Sequence, residues 1–180
     1  MIVQKKHGKT VEAYELGANT QAERRMIEEG KIIAHADGSY ELFSQETDEH
    51  GERAQTGDFF KIDSSDYPYP NAKTWFIENH RPIDKPNAYE QIPKPLQAWT
   101  ANEPECEEIT WLKQQGKLIV NEADTQHYFT AELWGTVERT PRDSIIVFYG
   151  VTRDKSGAIT DVDFNFVAKA EFEKTYDIVG

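Results

Sequence analysis

Apolar and polar residues alternate along "DVDFNFV", which puts Val162, Phe164 and Phe166 on one face and predicts a strand over Val162–Val167. The run "SIIVFYG" (Ser144–Gly150) is the strongest strand signal in the chain, rich in β-branched and aromatic residues. Further strands are predicted at Lys9–Leu16, Ile32–His35, Ser39–Ser44, Asp58–Ile62 and Tyr67–Tyr69, and again at Leu118–Asn121 and His127–Leu133. Two stretches change to a helical period. The first opens on "TQAE" (Thr20–Glu23), a capping-box pattern, and carries Ala22, Met26 and Ile27 as its apolar stripe. The second opens on "NEPE" (Asn102–Glu105), with Cys106, Ile109 and Leu112 in the equivalent stripe. Gly30 and Gly116 stand where each helix needs a left-handed stop. Short closing helices are predicted at Ala72–His80 and Ala168–Tyr176, anchored by Phe76 and Phe172.

These elements come in the same order twice. "KTVEAY" (Lys9–Tyr14) faces "KPLQAW" (Lys94–Trp99), and "MIEEGKII" (Met26–Ile33) faces "LKQQGKLI" (Leu112–Ile119). "ERAQTGDFFKI" (Glu52–Ile62) faces "ERTPRDSIIVF" (Glu138–Phe148), and "AKTWF" (Ala72–Phe76) faces "AKAEF" (Ala168–Phe172). A near-constant spacing over successive blocks indicates a tandem duplication. The expected fold is therefore α+β, with two repeats of a strand–helix–(three or four strands)–helix module packed as a pseudo-two-fold dimer. The expected repeats are 1–87 and 88–180, the second with a longer hairpin near 150–163. Four of the eight prolines fall within Arg81–Pro95, so this stretch is read as an extended linker between the copies.

Composition narrows the function classes. A hydrophobic fraction of 38% with 12% aromatics suffices for a packed core. The net charge of −12 is spread over both copies without a basic stripe, which argues against direct nucleic-acid binding. No apolar run has the length of a membrane span or a signal peptide, so no membrane association and a cytoplasmic location are expected. The single cysteine, Cys106, excludes an internal disulfide, and the glutamates at 105, 107 and 108 disfavour its thiolate.

The first copy holds "KTVEAY", "TGDFF" (Thr56–Phe60), "YPYP" (Tyr67–Pro70) and "WFIENH", and the second "KPLQAW" and "EFEKTY" (Glu171–Tyr176). In this the chain resembles a family of small phage and prophage proteins marked by a PGDYG-type motif. It departs from that pattern at Thr56, where the family has proline, and at "PRDS" (Pro141–Ser144) in the second copy. The resemblance implies a phage or prophage origin and an α+β fold. It carries no established biochemical activity.

No catalytic constellation stands out. There is no GxSxG, no phosphate-binding glycine loop, and no histidine pair at metal spacing, so no catalytic residue, metal or cofactor is assigned. His35–Asp37 and Asp48–His50 each set a histidine two residues from an acid, a pattern common in solvated loops. The candidate binding residues are Asp58 in the Gly57–Asp58 turn, Tyr67 and Tyr69 among prolines on an expected sheet edge, and Trp75, which the second copy replaces with Glu171. The expected function is a non-catalytic binding or accessory protein whose partner is a host protein. Two rivals are a small-molecule or nucleotide-binding enzyme with its site between the repeats, and an acidic mimic of DNA.

Overall fold

The structure is a computed structural model that describes residues 1–45 and 49–180. Among the described residues it is α+β, with four helices and antiparallel strands in several small sheets. The chain divides into two compact units, His7–Ile92 and Pro93–Gly180, the latter completed by Met1–Lys6. The first strand, β1 (Ile2–Lys5), thus belongs to the unit that holds the end of the chain. The expected division into 1–87 and 88–180 differs from this by the first six residues and by 88–92.

In the His7–Ile92 unit the predicted strand Lys9–Leu16 forms as β2 (Thr10–Glu12) and β3 (Tyr14–Glu15), interrupted at the fully buried Ala13. Helix α1 (Gln21–Glu28) starts at Thr20, whose hydroxyl accepts from the Glu23 N–H at 3.2 Å. The Glu23 carboxylate accepts from Gly17 and Asn19 N–H instead of closing the reciprocal bond of a capping box. Met26 is fully buried on α1, while Ile27 faces solvent. Strands β4 (Ile32–Ala34), β5 (Ser39–Leu42) and β6 (Glu52–Gln55) form one sheet, in that order. Strands β7 (Phe59–Ile62) and β8 (Pro68–Asn71) continue from β3 in a second. β8 is an edge strand, where Pro68 and Pro70 leave no ladder bond unmade.

Helix α2 (Lys73–Asn79) follows, then β9 (His80–Pro82) and β10 (Ala88–Gln91). The order β2–β10–β9 makes the third sheet of this unit. The stretch read as an extended linker, Arg81–Pro95, is therefore mostly a hydrogen-bonded hairpin. Proline density misled there because Pro82 and Pro86 flank a turn instead of a tether. Strand β7 has two apolar faces. Phe60 packs with Leu16, Met26, Ile32 and Leu42, and Phe59 packs with Ala13 and Phe76 under α2.

In the other unit, β11 (Leu96–Trp99) leads to α3 (Glu107–Gln114). The expected cap at Asn102 is not used: Cys106 is the N-cap and makes no side-chain cap bond. Then come β12 (Ile119–Val120), β13 (Phe129–Leu133), β14 (Thr136–Thr140), β15 (Ile145–Arg153) and β16 (Ile159–Val167). The β15–β16 hairpin turns at Asp154–Gly157, with Gly157 at φ 87°. Helix α4 (Lys169–Thr175) and β17 (Tyr176–Ile178) close the chain. One sheet runs β16–β15–β11–β1–β17 and a second β12–β13–β14, all antiparallel.

The strands that follow α2 and α4 are each paired antiparallel. β17 pairs with β1, and β9 pairs with β10. β1 also pairs with β11, and β10 also pairs with β2. The chain changes unit at Lys6–His7 and Ile92–Pro93, so β1, at the start of the sequence, completes the five-stranded sheet of the Pro93–Gly180 unit.

Candidate binding site around Lys61

Strand β7 reads Phe-Phe-Lys-Ile, and alternation sends Lys61 to the same face as Phe59, beneath α2. Lys61 is only 7% exposed. Its Nζ lies 3.1 Å from Nε2 of His80, which is itself buried at the start of β9. Nδ1 of His80 lies 2.9 Å from the carbonyl oxygen of Phe76 and so carries the ring proton. Nε2 is then the acceptor, and Lys61 donates to it. The His80 ring stacks on Phe76, centroids 4.1 Å apart, which fixes its orientation.

The electrostatics follow from this burial. Burial pushes the Lys61 ammonium below its usual range, and the Lys9 charge pushes the same way. Burial also lowers His80, and neighbouring Lys61 adds to the effect while the Phe76 carbonyl opposes it. The other buried charged side chains, Glu23, Glu41 and Glu108, each accept hydrogen bonds or face a cation. Among the described residues Lys61 has no carboxylate partner. A buried ammonium normally pairs with an acid or loses its charge.

Two of the four residues singled out from sequence sit beside Lys61. Tyr69 on β8 is its direct cross-strand partner, on the same face of the sheet. The ring of Trp75 on α2 lies 5.9 Å from Nζ, and Trp75 is 48% exposed. The other two serve elsewhere. Asp58 accepts the Gln55 N–H at 2.8 Å and the Lys73 N–H at 2.9 Å, tying the turn at Gly57 to the first residue of α2. Tyr67 lies under the Lys31 ammonium at 4.8 Å, next to the exposed Arg25–Asp66–Lys31 ion-pair network. Of the histidine–acid pairs, His35 bonds Glu41 at 3.0 Å while Asp37 bonds Ser39, and Asp48 lies outside the described residues.

Sequence reasoning missed Lys61 and His80. The signal lay in the aligned blocks, where "FFKI" faces "IIVF" and "IENH" faces "EKTY". Val147 stands in the Lys61 position and is fully buried, and Tyr176 stands in the His80 position and donates to or accepts from the Tyr149 hydroxyl at 3.1 Å. Val147 and Tyr176 pack with Val3, Ala98, Ile145 and Phe172 in an apolar cluster.

A cavity of about 430 Å³ opens next to Lys61, lined by residues of β2, β7 and β8. Lys9, Glu12, Tyr14, Arg25, Lys61 and Tyr69 are among its walls. A neighbouring depression of about 700 Å³ shares Tyr14, Arg25 and Ile62 but has no buried ionisable group. Among the described residues there is no cluster of three or more His, Cys, Asp or Glu able to hold a metal ion, and no helix is long and apolar enough to cross a membrane. No family model, curated protein or solved structure matches the chain.

Proposed function

We propose that this chain is a non-catalytic binding protein whose ligand site lies in the His7–Ile92 unit around Lys61. It is built on a duplicated module whose two copies have exchanged their first strands. Supporting the duplication, the strand order β16–β15–β11–β1–β17 corresponds to β8–β7–β3 continued by β2–β10–β9, and β12–β13–β14 corresponds to β4–β5–β6. The resemblance to the PGDYG-motif proteins favours a phage or prophage accessory role in the cytoplasm.

The observation that carries the binding role is Lys61 itself. The same place in the other unit holds Val147, 0% exposed, so the module packs without a lysine. A buried, unpaired cation lowers stability, and proteins keep such groups where function needs them. The test is Lys61→Met. The binding reading predicts a more stable protein, with a melting temperature higher by roughly 4 °C or more for each ~1 kcal/mol gained. A less stable variant would make Lys61 a structural residue and end the reading.

A further inference from the structure

We infer that the Lys61 cavity takes a small organic oxyanion, a carboxylate or phosphate ester, held between Lys61 and Lys9. This rests on the reading of Lys61 as a binding residue.

The ammonium of Lys61 has three N–H donors, and one is used by His80. Lys61 lines the cavity, where an oxyanion would satisfy both the charge and the unused donors. Lys9, exposed on the cavity wall, has no ion pair among the described residues and lies close enough to Lys61 to lower its proton affinity. The third cation, Arg25, is already matched: it makes two bonds to Asp66, at 2.8 and 2.9 Å, and pairs with Glu29. Glu12, the carboxylate on the wall, accepts from the Tyr14 hydroxyl at 3.1 Å and lies 3.9 Å from Lys85. Two lysines without a carboxylate partner among the described residues therefore share one cavity in a chain of net charge −12. The volume suits a small molecule, and Tyr69 adds an aromatic side chain to the wall beside its organic part.

Isothermal titration of the full chain with benzoate and with inorganic phosphate tests this. At least one should bind saturably at millimolar concentration. Lys61→Met should weaken that binding at least about tenfold, and Lys9→Ala should weaken it less. Binding by benzoate alone would identify a carboxylate ligand, and by phosphate alone a phosphate ester. Absence of saturable binding for both anions overturns the inference, and so does binding that Lys61→Met leaves unchanged. If Lys61→Met nonetheless raises the melting temperature, the binding-site reading stands and only the ligand class is wrong. Should the methionine variant fail to fold, Lys61→Gln replaces it in the titration.

Discussion

Nε2 of His80 lies 3.1 Å from the Nζ of Lys61, so one buried hydrogen bond joins two groups that both become cations in acid. The arrangement holds only while His80 is neutral. Its folded-state pKa is lowered, chiefly by burial, so the unfolded chain takes up a proton more readily near pH 6.5. The stability His80 contributes is therefore present above that pH and lost as pH falls below it. His80→Gln, which keeps an acceptor for Lys61 but cannot titrate, should lose less melting temperature than the parent between pH 7 and pH 5. Parallel curves would show that His80 is not protonated on unfolding.

Deleting Met1–Lys6 should damage the unit at the other end of the sequence. Val3 is fully buried against Ala98, Val147 and Tyr176, and β1 lies between β11 and β17. Its loss exposes two strand edges at once. Hydrogen exchange should accelerate in β11, β15 and β17 and stay near the parent rate in β4, β5 and β6. Faster exchange confined to His7–Ile92 would contradict the placement of β1 in the sheet of the Pro93–Gly180 unit.

Gly8 packs against Gln91 within the His7–Ile92 unit, where no side chain fits. A Cβ on it would stand 1.7 Å from the Gln91 carbonyl oxygen, a backbone atom that cannot rotate away. Gly8→Ala should cost roughly 1–3 kcal/mol or more, read as a lower urea midpoint. Gly30→Ala serves as the comparison: no atom approaches its added Cβ, and its φ of 74° alone carries the penalty.

Much of this was legible in the sequence, and the failures share a cause. Alternation found β16, and β7 and β13 fall within expected strands. Gly30 and Gly116 take the left-handed conformation expected at helix ends, with φ of 74° and 69°. These signals are local. The placement of β1 and β10 is not local: nothing in "IVQK" or "AYEQ" says which unit will receive the strand. "NEPE" matched a cap pattern, yet Asn102 instead accepts from Arg142 at 2.8 Å and Glu105 pairs with Lys113, so side-chain partners outbid the local motif. Cys106 is a weak acid, as its glutamate neighbours suggested. The main reason is burial, which pushes its thiol up to about 11. Lys61 escaped notice because a lysine in a strand reads as solvent-facing until its partner positions are known.

Glu90 should govern part of the acid limb. Its carboxylate accepts from Arg81 at 2.7 Å and from the Gly8 N–H at 2.7 Å, and the Arg81 bond does most to lower its pKa to about 2. A lowered carboxylate contributes stability above its unfolded pKa and loses it as pH falls toward the folded value. Melting temperature should therefore decline between about pH 4.3 and pH 2, and Glu90→Gln should flatten that decline. An unchanged slope would mean that Glu90 is equally acidic in the unfolded chain.

The account turns on Lys61 being a buried cation that awaits an anion. The most direct measurement is its own titration, followed by NMR on protein carrying 13C-dimethylated lysines, with Lys61→Met to assign its signal. One resonance, absent from the variant, should titrate below the other lysines and move to higher pH when benzoate or phosphate is added. A Lys61 signal that titrates with the surface lysines, and stays in place when either anion is added, would contradict the account.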